Sequence, residues 1–147
     1  MKSINIGLIG FGTVGAGVVK TLQMNGETIA KRVGAEIRLK RIADLDLDRD
    51  RGVQVDRSVL TTNAEDILND PDINIVLELM GGYHPALEFI LKGIENGKNV
   101  VTANKALLAK HGDEIFAAVE KKGVCIGFEA SVGGGIPVIR AIKEGFA

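Results

Sequence analysis

Residues 4–19 read INIGLIGFGTVGAGVV, an apolar run that leads directly into a cluster of glycines. The first part of this stretch, residues 4–9, is short, apolar and followed by glycine, which predicts a buried β-strand. Beyond Thr13 the apolar residues recur at a helical spacing, at Val14, Val18, Leu22 and Ile29. The stretch therefore predicts a strand that turns through glycines straight into a helix.

Strand-like and helix-like segments alternate along the rest of the chain. Four more strands are predicted, at residues 35–43, 73–79, 99–103 and 124–130. Helices are predicted to begin at a capping box of Thr62 and Glu65, at Pro85, at Lys105 and at Ile136, and the helix of residues 105–122 is expected to break around Gly112. This alternation predicts an α/β fold, a Rossmann-type doubly wound parallel sheet with helices on both faces.

The glycines of the first turn, Gly10, Gly12 and Gly15, have the G-x-G-x-x-G spacing of dinucleotide-binding strand–turn–helix units. Gly10 permits a tight turn, Gly12 lets a pyrophosphate approach the backbone, and Gly15 lets the helix pack closely on the strand. The free N–H groups and the positive dipole end at the start of the helix favour the phosphate charge. The turn therefore predicts a site for NAD or NADP.

Asp44 ends the second predicted strand. In this fold a carboxylate at that position accepts hydrogen bonds from the adenosine ribose of NAD and repels a 2′-phosphate. Arg49 and Arg51 follow in a charged loop and offer the opposite possibility, an ion pair with the 2′-phosphate of NADP. The sequence leaves the choice between the two cofactors open.

Three further segments follow the third, fourth and fifth predicted strands, which places them at the same sheet edge as the glycine turn. Met80, Gly81 and Gly82 lie where the backbone could pass close to a nicotinamide ring. Lys105 begins a helix, where a positive charge is unfavourable unless it meets an anion or polarises a carbonyl. The three glycines at 133–135 permit a loop that binds a cation, binds an anion or serves as a hinge.

Two residues are unusual for the apolar strands in which they are predicted to lie, Glu78 and Cys125. A buried carboxylate needs a hydrogen-bond partner, and the sequence does not identify one for Glu78. Cys125 is predicted to be a buried and inert thiol.

Three motifs together closely resemble the N-terminal part of homoserine dehydrogenase: GLIGFGTVG at residues 7–15, NVVTANKALLA at 99–109 and FEASVGGGIPVI at 128–139. The last two are much more specific than the glycine fingerprint, and the resemblance extends from Ile4 to about Lys143. It implies an NAD(P)-dependent enzyme that interconverts L-aspartate 4-semialdehyde and L-homoserine, in the biosynthesis of threonine, methionine and isoleucine.

The same resemblance implies roles for individual residues. It places Phe11, Thr13 and Val14 in contact with the cofactor, and it makes Lys105 a catalytic residue at the nicotinamide and the substrate. It also implies a sodium ion held by backbone oxygens of Glu129, Val132, Gly134 and Ile136. Members of the family continue into a domain that binds homoserine and forms a homodimer. Residues 1–147 are therefore expected to be the NAD(P)-binding domain alone, which would not turn over by itself.

Two other interpretations of the chain stay open. One is a sugar or inositol dehydrogenase of the glucose-fructose oxidoreductase type, although such enzymes usually carry Glu-Lys-Pro where this chain has Asn104-Lys105-Ala106. The other is a non-catalytic module that senses NAD(H). In that case Lys105 and the glycine run would have no chemical purpose.

The composition narrows the possible partners. The 147 residues include 18 basic and 19 acidic side chains, so no nucleic-acid partner is expected. A single cysteine excludes an internal disulfide. No apolar run approaches the roughly 18 residues of a membrane span, and no signal peptide is recognisable. We therefore expect a cytoplasmic protein that acts on a small molecule.

Overall fold

A computed structural model describes residues 2–146, which form a six-stranded parallel sheet with helices packed against it. The strands are β1 (Lys2–Ile9), β2 (Ala35–Ala43), β3 (Leu60–Thr61), β4 (Ile75–Glu78), β5 (Asn99–Thr102) and β6 (Ile126–Gly127). The helices are α1 (Thr13–Val33), α2 (Glu65–Leu68), α3 (Ala86–Glu95), α4 (Lys105–Lys122) and α5 (Val138–Gly145). Two 3-10 turns, Arg57–Val59 and Glu129–Ser131, complete the described elements.

The strand order is β3-β2-β1-β4-β5-β6, and every neighbouring pair is parallel. The chain moves outward in one direction from β1 to β3 and then returns to the other side of β1 with β4. Between β1 and β4 the order therefore reverses, and ligands of such sheets bind beyond the carboxyl ends of the strands at that point. This topology confirms the predicted Rossmann-type fold and puts the glycine turn, which follows β1, at the reversal.

Neighbouring residues of β1 show that both faces of the sheet are covered. Leu8 is fully buried in a cluster with Ala16 and Val19 of α1. Ile9 faces the opposite side, where it packs with residues of α2 such as Ile67. This alternation is the two-residue period of a strand, and a central strand buried on both faces reads as a continuous apolar run.

A third cluster joins α3 and α4 to β5 through Val100, Ile90, Ile94, Leu107 and Ile115. Helix α4 is continuous, so the predicted break around Gly112 is wrong. A β-carbon at Gly112 would meet only the Phe116 ring at an ordinary contact distance of 3.5 Å. One glycine costs a helix about 1 kcal/mol, and the packing of α4 and its caps outweighs that cost.

Other sequence predictions also need correction. The predicted fifth strand shortens to β6, because the chain leaves the sheet for the 3-10 turn at Glu129. Cys125 is exposed, so the prediction of a buried thiol is wrong. Thr62 and Glu65 do not form a capping box. Instead the Asn63 side chain accepts a hydrogen bond from the backbone N–H of Glu65 at 3.1 Å. Strand β3 was not predicted, since two residues are too few to show a period.

The sheet edge opposite the glycine turn is held by charged side chains. Lys98 is buried, and its ammonium donates to the backbone oxygens of Asp70 and Ile73 at 2.5 and 3.0 Å. Burial lowers the pKa of Lys98. The Asp70 carboxylate lies 2.8 Å from the ammonium of Lys40, whose hydrogen bond lowers the pKa of Asp70.

Asp70→Asn is expected to flatten the loss of stability in acid. A carboxyl whose pKa is lower in the folded chain than in the unfolded chain stabilises the fold above the unfolded value, near 3.8, and loses that contribution as the pH falls through the folded value. Urea unfolding at about pH 6 and about pH 3 should therefore show a smaller drop in the free energy of unfolding for Asp70→Asn than for wild type. Equal drops would mean that the Lys40 contact contributes nothing.

Described residues 2–146 include no helix that is both long and apolar enough to cross a membrane.

Candidate functional site

The glycine motif in which β1 turns into α1 has no room for side chains at two of its glycines. Gly10 has a φ of +98°, and a β-carbon there would lie 2.6 Å from the backbone nitrogen of Met80. A β-carbon at Gly15 would lie 2.2 Å from the carbonyl oxygen of Gly10. Both contacts are with backbone, which cannot rotate out of the way. These two glycines therefore fix the shape of the turn, as their spacing predicts.

Gly12 differs from its two neighbours in the motif, because a β-carbon there would meet nothing within 4 Å. It is the N-cap of α1, and no side chain caps the helix at this end. The first N–H groups of an uncapped helix lack intrahelical partners and carry the positive end of the helix dipole. The space over Gly12 is thus open, and the groups that border it suit a phosphate.

A cleft of about 370 Å³ runs from this turn along the carboxyl edge of the sheet. Its floor includes Gly10 and Gly12, Asp44 lies on one side of it, and Met80 lies on the other. Apolar side chains form most of the remaining wall, including those of Ile9, Ala43, Leu79 and Phe89. A cleft with apolar walls and a few polar groups is typical of a cofactor site.

Asp44 connects the end of β2 to the glycine turn. One carboxylate oxygen accepts the backbone N–H of Phe11 at 2.6 Å, and the other accepts the N–H of Asp46 at 2.9 Å and the guanidinium of Arg51 at 3.2 Å. Asp44 therefore lies at the predicted place beside the cleft, and part of its charge is offset by Arg51.

Arg51, one of the two arginines considered for a 2′-phosphate, already has its donors engaged within the chain. Its side chain is only 6% exposed, and its guanidinium donates to the backbone oxygens of Phe11, Arg49 and Asp46 as well as to Asp44. The guanidinium also lies over the Phe11 ring, 4.8 Å from its centroid. Arg51 is a structural clamp on the turn, whereas Arg49 is exposed.

The other predicted contacts of the turn differ in exposure. Val14 is 54% exposed at the first turn of α1, and Thr13 is exposed beside it. The Phe11 side chain is buried in the same core cluster as Leu8. A ligand over Gly12 would therefore meet Thr13 and Val14 more readily than the ring of Phe11.

Beyond β4 the backbone turns through Met80, Gly81 and Gly82, and both glycines have positive φ values, +75° and +74°. The carboxylate of Glu78, the last residue of β4, is fully buried and accepts hydrogen bonds from this turn. One carboxylate oxygen accepts the N–H groups of Met80 and Gly81 at 3.0 and 3.3 Å. The other oxygen accepts the hydroxyl of Thr102 at 2.7 Å. Glu78 has the partners that the sequence could not identify.

The network continues from β5 to the start of α4. The hydroxyl oxygen of Thr102 accepts the N–H of Asn104 at 3.0 Å. The Asn104 side chain caps α4 by accepting the N–H of Leu107 at 3.1 Å, and it donates to the backbone oxygen of Gly82 at 2.6 Å. Lys105, the next residue, is exposed at the first position of α4. Lys105 is thus at the predicted sheet edge, although it does not line the cleft.

The glycine run at 133–135 forms a turn between the 3-10 turn and α5, with positive φ at Gly133 and Gly134. Two of the four backbone oxygens implied for sodium accept hydrogen bonds within this segment: that of Glu129 from Val132 at 3.1 Å, and that of Ile136 from Val138 at 2.8 Å. The Glu129 carboxylate accepts N–H groups of the first turn of α5. The sodium site stays a prediction. Over the part of the chain described, no three His, Cys, Asp or Glu side chains group so as to hold a metal.

Comparisons with known proteins show what the chain is similar to. The sequence model of the family described as "Homoserine dehydrogenase, NAD binding domain" matches residues 10–129. The chain is 48% identical over 149 residues to a homoserine dehydrogenase from Pseudomonas aeruginosa, of which it covers 33%, and 41% identical over 147 residues to one from Bacillus subtilis, of which it covers 34%. All of this chain is included in both matches.

Solved structures of homoserine dehydrogenases are similar to this chain as well. A homoserine dehydrogenase from Thiobacillus denitrificans superposes with a TM-score of 0.92 and 51% identity, over 99% of this chain and 33% of that one. The chain thus spans about a third of the length of the curated relatives that it matches.

Proposed function

This chain belongs to the family of homoserine dehydrogenase NAD-binding domains, and from that premise we propose that residues 1–147 are the cofactor-binding domain of a homoserine dehydrogenase. Such an enzyme interconverts L-aspartate 4-semialdehyde and L-homoserine with NAD(P)(H). The domain that binds the substrate and forms a homodimer would lie outside these residues, and the protein would act in the cytoplasm.

The observation that carries the proposal is the open space over Gly12. Gly10 and Gly15 are required by the backbone around them, whereas Gly12 has nothing within 4 Å of its β-carbon position. The fold itself does not need a glycine there. Exclusion of a side chain from an empty space beside uncapped N–H groups is explained by a ligand that comes close to the backbone, and a pyrophosphate fits this position.

We assign roles to the remaining predicted residues on this basis. The N–H groups at the start of α1, with Thr13 and Val14 beside them, would hold the pyrophosphate. Asp44 would accept the ribose hydroxyls of the adenosine, and the turn at 80–82 would face the nicotinamide. A bound nicotinamide supplies or accepts the hydride. The ammonium of Lys105 would lie at the carbonyl oxygen of the substrate and stabilise the negative charge that develops there.

The segment from Glu129 to Ile136 is proposed to hold a cation by backbone oxygens, with Val132 and Gly134 as the other two ligands. Support comes from the positive φ of Gly133 and Gly134, which lets the backbone turn sharply at these positions. The proposed ligands are all backbone oxygens, and no side chain is among them. Hard cations such as sodium favour oxygen ligands of this kind.

Titration of the purified chain with NADH and NADPH in parallel tests the proposal. We expect both to bind, and NADH to bind more tightly, because the Asp44 carboxylate borders the cleft and the donors of Arg51 are already in use. The same preparation should show no oxidation of homoserine with NAD or NADP, since the proposed substrate domain would lie outside residues 1–147. Failure to bind either cofactor would contradict the assignment, and turnover by the purified chain would contradict the division into domains.

A further inference from the structure

We infer that Glu78 is a positioning residue for the nicotinamide half of the dinucleotide, through its bonds to the turn at 80–82 and, by way of Thr102 and Asn104, to the start of α4. The inference rests on the proposed function, because it takes the turn at 80–82 to be the nicotinamide side of the site. It concerns a buried carboxyl side chain to which neither the glycine fingerprint nor the proposed hydride transfer assigns a role.

The burial of Glu78 is the first observation. Its side chain is 0% exposed, in the strand next to β1 at the centre of the sheet. An acidic side chain is almost never fully buried unless its charge is compensated, because the loss of its hydrating water is strongly unfavourable. Packing alone would be served better by a leucine or a valine at this position. A residue that costs stability in the core needs another reason to be there.

The second observation is what the carboxylate holds. Its three hydrogen-bond partners are the N–H groups of Met80 and Gly81 and the hydroxyl of Thr102. Gly81 and Gly82 adopt positive φ, a conformation that a glycine-rich turn can leave easily because glycine has many alternatives. The two backbone bonds to Glu78 select one conformation of this turn.

The third observation is that the same network reaches α4. Thr102 is fully buried and both donates to Glu78 and accepts from Asn104. Asn104 bonds the backbone oxygen of Gly82 at 2.6 Å and caps the helix that begins with Lys105. The turn at 80–82 and the start of α4 are therefore fixed relative to each other by side chains of β4 and β5. Adenosine and pyrophosphate would meet other groups, around Gly12 and Asp44.

Glu78→Gln keeps the shape of the side chain and disturbs this pattern. A glutamine oxygen can accept the two backbone N–H groups, but its amide then faces Thr102, whose hydroxyl proton loses its acceptor. In the reverse orientation the amide faces the two backbone donors. One side of the network is mismatched in either case, and a mismatched buried polar group is destabilising. The turn should relax to other conformations.

The test compares NADH with ADP-ribose, which contains the adenosine and the pyrophosphate but no nicotinamide. In the purified chain, Glu78→Gln is expected to lower the affinity for NADH on the order of ten-fold and to leave the affinity for ADP-ribose within about two-fold. Equal effects on both ligands, or no effect on either, would overturn the inference. If the wild-type chain bound neither NADH nor ADP-ribose, the proposed function would be overturned instead.

A second pair of variants decides the matter if Glu78→Gln does not fold. Thr102→Val removes the hydroxyl and should lower the affinity for NADH but not that for ADP-ribose. Thr102→Ser keeps the hydroxyl and should bind NADH with the wild-type affinity. Lys98→Met provides the matched control, since Lys98 is a buried polar residue at the opposite sheet edge. It should lower the melting temperature and leave the ratio of NADH to ADP-ribose affinity at the wild-type value. A ratio that moves as much in Lys98→Met as in Thr102→Val would contradict a specific role for the network.

Discussion

Gly12→Ala is expected to abolish most dinucleotide binding while the fold keeps its stability. The β-carbon would meet nothing within 4 Å in the chain itself, and the φ of Gly12, −78°, lies outside the left-handed region that favours glycine. The methyl group would occupy the space that we assign to the pyrophosphate. A methyl group added where ligand and backbone already touch weakens binding by about 1–3 kcal/mol. The affinity for NADH should therefore fall by up to about a hundred-fold.

Two measurements check this expectation, a fluorescence titration with NADH and the melting temperature with and without NADH. A ligand that binds the folded chain raises the melting temperature of wild type, and that shift should be largely lost in Gly12→Ala. Gly26→Ala is the matched control, because Gly26 lies in the same helix and its β-carbon position is also open. It should bind NADH like wild type. Wild-type affinity in Gly12→Ala would show that the ligand does not pass over this turn.

Gly15→Ala is expected to have the opposite primary effect, a large loss of stability. Its β-carbon would lie 2.2 Å from the carbonyl oxygen of Gly10, and real β-carbons do not approach other atoms within 3.0 Å. Relief of this contact requires α1 to move away from β1, against the packing of Leu8, Ala16 and Val19. Overpacking of this kind costs about 3 kcal/mol, which corresponds to a fall in melting temperature on the order of 10 °C for a domain of this size.

Thermal and urea unfolding of Gly15→Ala should be compared with Gly17→Ala, two residues further along α1. The β-carbon position at Gly17 is open, so alanine there should raise the stability by about 0.5–1 kcal/mol through its better helix propensity. If Gly15→Ala were as stable as Gly17→Ala, the close contact of helix and strand would not be a constraint on this turn.

The features predicted correctly from the sequence are those whose physical cause is local. The glycine turn is one, because a strand period, a turn and a helix period follow one another within residues 4–19. The approximate positions of β2, β4 and β5 and of α3 and α4 were predicted for the same reason. The continuity of α4 through Gly112 was not predicted, since it depends on packing against other elements rather than on the helix propensity of one residue.

The features that the sequence did not reveal depend on residues far apart in the chain. Glu78 and Thr102 are 24 positions apart and meet only because β4 and β5 are neighbours in register. Arg51 and Phe11 are 40 positions apart, and nothing in the charged loop distinguishes Arg51 from Arg49. An acidic residue in an apolar strand was a usable indication that a partner exists. The partner itself could be identified only from the sheet.

The clamp formed by Arg51 has a consequence for attempts to redesign the cofactor preference. Exchange of Asp44 alone for a neutral or basic residue would remove the acceptor of the Phe11 N–H and one partner of Arg51 at the same time. The freed guanidinium would still be bonded to three backbone oxygens and would not turn toward an added phosphate group. Conversion to another coenzyme therefore calls for a coordinated exchange of the whole loop from Asp44 to Gly52, transplanted as a unit.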